Sequence, residues 1–181
     1  MGHFLYLRHF ACLTCLSVLA GLTSSLPLAS SALLSFALYG GLHALALVVA
    51  LRAPQPLWRM ALFIGVAAAL CVVTLQVALI AMKLFGGLPG DSRAYAALGL
   101  AAMTGALAYG ISIRQLKMRP LPANALLLIS LGCVAAAYAG FFTLAHYHVM
   151  GRWLIAVLWW YAFSAGLWYF DRRAHMFGAY T

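Results

Sequence analysis

Glutamate is missing from this chain, and Asp91 and Asp171 are its only aspartates. Without paired carboxylates there is no acid and base for glycoside hydrolysis and no ligand set to hold Mg²⁺ against a phosphate. Proton- and sodium-coupled carriers rely on an acid inside the membrane, and neither aspartate falls within an apolar run. Charge of either sign is sparse, at 7% of residues, against about 25% in a soluble domain. So little charge leaves too little polar surface to cover a globule in water.

Proline is missing from the interior of every apolar run: Pro27, Pro54, Pro56, Pro89, Pro120 and Pro122 stand in connections or at run starts. Helices broken at mid-membrane, which coordinate substrate in many secondary transporters, are therefore not signalled. The Gly40-Gly41 pair is the one place where a helix is expected to loosen. Cysteines are few, and Cys12, Cys15, Cys71 and Cys133 all lie in apolar segments. Thiols there behave as small hydrophobes and make no disulfide framework.

What is present is apolar. Hydrophobic residues make up 66% of the 181, and the mean hydropathy is +1.00. From Phe10 to Leu51 there is no Lys, Arg, Asp or Glu, and Cys12, Cys15, Tyr39 and His43 are the only ionisable side chains. At about 1.5 Å per residue this run is about twice what a hydrocarbon core of about 30 Å demands. The Ser-rich stretch around Pro27 folds it into a helical hairpin.

Six spans follow: Phe10–Leu26, Ala32–Leu51, a third between Arg59 and Lys83, a fourth between Arg93 and Arg114, Ala123–Ala145, and Trp153–Phe170. The expected fold is an all-α membrane protein, a bundle of about six transmembrane helices, with residues 1–181 forming one transmembrane domain and no soluble domain. The N-terminus has the look of a signal peptide, with Arg8, an apolar run and then Leu28-Ala29-Ser30. It is expected to stay uncleaved, because the apolar run continues into a second full span.

Lys and Arg gather on one side of the membrane in short loops, which sets orientation. Arg8, Arg52, Arg59, Arg114, Lys117, Arg119, Arg172 and Arg173 share one side, and only Lys83, Arg93 and Arg152 the other. Both the N- and C-termini are then cytoplasmic in a bacterial-type inner membrane, crossed several times. Trp58, Trp153 and Trp168-Tyr169 stand beside charged flanks, where amphipathic rings favour the headgroup level. The net charge of +9 would point to nucleic acid in a soluble chain. Scattered over span ends it does not, and no nucleic-acid partner is expected.

Small residues at helical spacing let membrane helices approach closely. The fourth span carries Ala101-x-x-x-Gly105 and Ala106-x-x-x-Gly110, and the sixth Ala162-x-x-x-Gly166. The longest pattern, Gly132-x-x-x-Ala136-x-x-x-Gly140, places the fifth span at the centre of the bundle or on an oligomer seam.

Candidate ligand-binding residues are His43, Gln76 and Trp160. His43 is the one histidine deep in a span, and an ionisable group there is a functional hypothesis by default. The plainer reading is a neutral ring bonded to a Ser, Thr or backbone carbonyl. In Trp159-Trp160-Tyr161 the three rings point in different directions and cannot all line one pocket. They make either a bundle core or an aromatic wall for an apolar ligand or quinone. Thr74, Gln76, Asn124 and Ser130 are expected to hydrogen-bond between helices.

For metal, His146, His148 and Met150 alternate along one segment after the fifth span, and imidazole with thioether suits copper. Zinc is the other ion considered, at that segment or at Cys15, His43, Cys71 and Cys133. The depth scatter of those four exceeds what a metal site tolerates. Cys12-x-x-Cys15 spells a redox pair but lies at lipid level, without the solvent access such pairs need.

No G-x-S-x-G motif marks a nucleophile, and no motif ties the chain to a named family. The expected function is non-catalytic: a small transport-type or complex-forming inner-membrane subunit, in contact with the lipid bilayer and associating with itself or a membrane-protein partner. The alternatives are a membrane metal or redox protein using His43 or the His146–Met150 turn, and a membrane enzyme acting on a lipid-linked substrate.

Overall fold

The structure is a computed structural model, and the residues it describes are Ala11, Cys15 and residues 32–51, 56–118, 121–147 and 153–176. They form five helices, α1 (Ala32–Leu51), α2 (Leu57–Leu84), α3 (Gly90–Gln115), α4 (Ala123–Tyr147) and α5 (Trp153–Met176), with no strand among the described residues. Leu57–Leu84, Gly90–Gln115 and Ala123–His146 are long and apolar enough to cross a membrane, and Phe36–Val48 is a shorter apolar helix. The first expected span lies outside the described residues apart from Ala11 and Cys15, both helical.

The prolines start helices rather than break them. Pro56 and Pro89 flank α2 and α3 with extended backbone, and their carbonyls accept from Arg59 N at 2.9 Å and Arg93 N at 3.1 Å. Pro122 does the same for α4, accepting from Leu126 N at 3.1 Å. Proline has no N–H to lose at such a position, and its fixed φ suits helix entry. The end of α3 is a Schellman turn. Met118 N donates to Ile113 O and Lys117 N to Arg114 O, both at 3.0 Å, with Lys117 at φ 53°. Met118 and Ile113 are both buried, which is the apolar contact that accompanies such a turn.

Each helix packs against the next in sequence, and short connections make neighbours antiparallel. The outer faces are apolar: Leu38, Leu57, Ile80, Leu84 and Leu128 are all exposed. Water would penalise such surface, whereas lipid tails accept it. Arg59 lies over the ring of Trp58, 5.2 Å from its centroid, at the start of α2.

Among the described helices, α3 carries a broad buried face of small residues. Ala97, Gly99, Ala101, Ala102, Gly105, Ala106 and Gly110 are all buried, so neighbours approach α3 around much of its circumference. The longer small-residue pattern in α4 is split. A Cβ on Gly140 would lie 2.9 Å from Ile155 Cα of α5, whereas at Gly132 none of the described residues lies within 4 Å. Gly40-Gly41 does not loosen α1, which is continuous through both residues. Gly40 serves contact instead: a Cβ there would lie 2.6 Å from Cys71 Cβ and 2.7 Å from Ala67 O of α2.

Candidate functional site

Tyr39 and His43 are four residues apart and so share one face of α1. Both are buried. His43 Nδ1 lies 2.9 Å from Tyr39 O, and since a carbonyl only accepts, Nδ1 carries the proton and Nε2 is the bare acceptor of the neutral ring. His43 Nε2 and Tyr39 Oη are both buried without a hydrogen-bond partner among the described residues. On the far side of the ring, Trp160 of α5 stacks on His43 with centroids 4.4 Å apart and planes 13° from parallel. Two of the three candidate ligand-binding residues are thereby brought together from the first and last helices.

Tyr109, from the middle of α3, is the hub of this cluster. Its ring meets Trp160 edge-on at 4.8 Å, Phe163 at 5.7 Å, Phe63 at 5.9 Å and Trp159 at 6.2 Å. Edge-to-face pairs at such distances are the preferred aromatic geometry. The Tyr109 hydroxyl donates to Gly40 O of α1 at 3.3 Å. Trp159 Nε1 donates to Ala102 O of α3 at 3.2 Å, and the Cys133 thiol to Trp159 O at 3.7 Å. Aromatic and thiol donors thus bridge helices by reaching backbone carbonyls, two of them on the small residues Gly40 and Ala102.

The side chains expected to bridge helices do otherwise. Thr74 and Ser130 each donate to the carbonyl four residues back in their own helix, at 2.8 Å. Asn124 accepts from the adjacent Ala125 N at 2.9 Å. A hydroxyl folded back in this way satisfies itself without a neighbour. Gln76 stands apart from His43 and Trp160. It is exposed on α2 and lines a separate hollow with Lys83 and Arg93.

Beside the aromatic cluster lies a cavity of about 380 Å³. All five described helices contribute to its walls, among them Tyr39, Cys71, Ala101, Ala137, Trp159 and Trp160. Pockets for small molecules begin at about 300 Å³ and are predominantly apolar. Trp159 and Trp160 both face this space, while Tyr161 is exposed on another side of α5. The cavity offers an apolar guest dispersion contact with flat rings, and the hydroxyl of Thr74, another wall residue, is already turned to its own helix.

The metal candidates are placed as follows. His146 is exposed at the end of α4, stacked on Phe142 at 4.0 Å with Nδ1 3.0 Å from Phe142 O. His148 and Met150 lie outside the described residues. Cys15 is exposed, Cys133 is buried, and Cys71 is in the cavity wall. Among the described residues no three of His, Cys, Asp or Glu gather into a metal-holding group. Cys12 is outside the described residues, so the C-x-x-C pair is not placed.

Tyr109 is the site residue that sequence reasoning missed. Its signal was available: it is the lone aromatic in the run of small residues between Leu100 and Gly110. Comparison with protein-family models, curated proteins and solved structures finds no match to this chain.

Proposed function

We propose that this chain is a six-span inner-membrane protein, with both termini cytoplasmic, that accommodates a small apolar molecule between its helices as a transport-type module. The observation that carries this reading is the cavity of about 380 Å³, walled by residues from α1 to α5 and edged with Trp159 and Trp160. A solute taken from lipid needs such walls, because transfer between two apolar surroundings carries little desolvation cost. The chain acts by binding and release rather than by covalent chemistry, and His43 backs the cavity wall by stacking on Trp160. Association with a second copy or a membrane-protein partner belongs to the same proposal.

Photolabelling tests the cavity. A diazirine-bearing isoprenoid alcohol, irradiated with the full chain in lipid nanodiscs, is expected to label Phe141, Leu144 or Trp159. Ala137→Phe, which fills the space, is expected to cut that labelling about tenfold, as occlusion of a small-molecule pocket does. Labelling confined to lipid-facing positions such as Leu128, and unchanged by Ala137→Phe, overturns the reading. For the topology, single cysteines in the Lys83–Arg93 turn are expected to react with an impermeant thiol reagent from outside. Those beside Arg114 are expected to react only after lysis.

A further inference from the structure

The hollow beside Gln76 has a different chemistry from the cavity and is separate from it. It measures about 640 Å³ and is lined by Gln76, Leu79, Ile80, Lys83 and, from the start of α3, Arg93. Residues 76, 79, 80 and 83 follow the spacing of one helix face. That face runs from a carboxamide, across two exposed aliphatic side chains, to a cation at the helix end. Leu79 is 51% exposed and Ile80 56% exposed. Arg93, half-buried, lines the same hollow as Lys83 from across the α2–α3 turn, and its buried Nε has no hydrogen-bond partner among the described residues.

Two cations therefore share a hollow whose walls hold no carboxylate. Asp91, two residues from Arg93, is exposed and is not part of the walls. Like charges brought together at the edge of a low-dielectric region repel unless an anion lies between them. A guanidinium presents several N–H groups in a planar fork suited to phosphate oxygens, and an ammonium adds a point charge. Leu79 and Ile80 lie about one turn, or 5 Å, deeper than Lys83 along the helix, where a chain attached to that anion would descend. Gln76, about 10 Å deeper than Lys83, supplies an N–H donor on the same face.

We infer that this hollow binds an anionic phospholipid. Its phosphate is held between Lys83 and Arg93 at the helix end, and an acyl chain descends over Leu79 and Ile80. The occupant is amphipathic because the site is: a free anion would leave Leu79 and Ile80 uncovered, and a plain hydrocarbon would leave the two cations unpaired. This inference does not depend on the apolar cavity.

Native mass spectrometry of the full chain in mild detergent tests it, with phosphatidylglycerol, phosphatidylethanolamine or inorganic phosphate added. Phosphatidylglycerol is expected to bind about tenfold more tightly than phosphatidylethanolamine, the gain of one to two cations acting on a surface charge. That ratio is expected to fall to about one in the Lys83→Gln/Arg93→Gln double variant and to survive in the charge-keeping Lys83→Arg/Arg93→Lys variant. Gln76→Leu, about 10 Å deeper than Lys83, is expected to leave that ratio unchanged. Equal binding of the two lipids to the unmodified protein overturns the inference, whatever the stability of the variants. So does a preference unchanged in the double variant, displacement of lipid by inorganic phosphate, or a co-purified protein that occupies this face in place of lipid.

Discussion

The imidazole of His43 lies flat against the indole of Trp160, 4.4 Å between centroids and 13° from parallel, joining α1 to α5 across the bundle. The His43 Nδ1 proton is given to Tyr39 O, so the ring is held both from its own helix and from the opposite one. Its other nitrogen is buried without a partner among the described residues. Trp160→Ala is expected to destabilise the protein by about 3–5 kcal/mol through the space it leaves. His43→Phe keeps a stacked ring and removes a nitrogen whose unpaired burial costs about 1–3 kcal/mol, so it is expected to hold or raise the melting temperature in detergent. A fall with His43→Phe as large as that with Trp160→Ala would mean that Nε2 has a partner the protein depends on.

Two glycines with the same sequence appearance should respond in opposite ways. At Gly40 a methyl group would meet Cys71 Cβ at 2.6 Å and Ala67 O at 2.7 Å, the second of them backbone. Gly40→Ala is expected to cost about 1–3 kcal/mol as α1 is pushed off α2. At Gly132 none of the described residues lies within 4 Å, and Gly132→Ala is expected to stabilise the helix by about 0.5–1 kcal/mol. Thermal melts of the two variants side by side decide it. Should Gly132→Ala instead disrupt an oligomer seen in mild detergent, that face is a seam.

Tyr109→Phe removes the hydroxyl that donates to Gly40 O and leaves the ring contacts with Trp160, Phe163 and Phe63 in place. A loss of about 1 kcal/mol is expected, the net worth of one hydrogen bond. Tyr109→Ala also removes the ring and is expected to cost about 3–5 kcal/mol. Near-equal losses in the two variants would show that the hydroxyl, rather than the ring, anchors α3 to α1.

Lys117 holds a left-handed backbone at φ 53° in the turn that closes α3. That conformation costs an L-residue about 1–2 kcal/mol relative to glycine. Lys117→Gly is expected to raise stability by about 0.5–1 kcal/mol, since glycine returns part of the gain as backbone entropy. Lys117→Val is expected to lower it. Both changes are read from the melting temperature, and a Lys117→Gly variant less stable than the parent would show that the lysine side chain contributes more than the backbone strain removes.

The helices were readable one by one because each carries its own signal. The second expected span, Ala32–Leu51, coincides with α1, and Pro56, Pro89 and Pro122 mark where α2, α3 and α4 begin. The last helix continues beyond Phe170 through Asp171-Arg172-Arg173 to Met176, since a drop in hydropathy ends an apolar run but does not by itself end a helix. The candidate site was legible only in part. His43 and Trp160 attracted notice by chemistry, while Gln76 did so by polarity and proved to belong to a different hollow. Tyr109 was passed over because one tyrosine among alanines and glycines reads as a span residue until its neighbours are known.

Composition and periodicity alone determined a helical chain whose runs are long and apolar enough for lipid, because hydropathy and helix length are properties of contiguous residues. Rotation of each helix about its axis is not such a property. Only packing decided that Gly40 meets α2 while Gly132 meets none of the described residues, that α3 buries a broad small-residue face, and that Tyr39, Tyr109 and Trp160 surround one space. An apolar residue costs nothing facing either lipid or protein, so the choice between those faces is left to the shapes of the side chains that fit together.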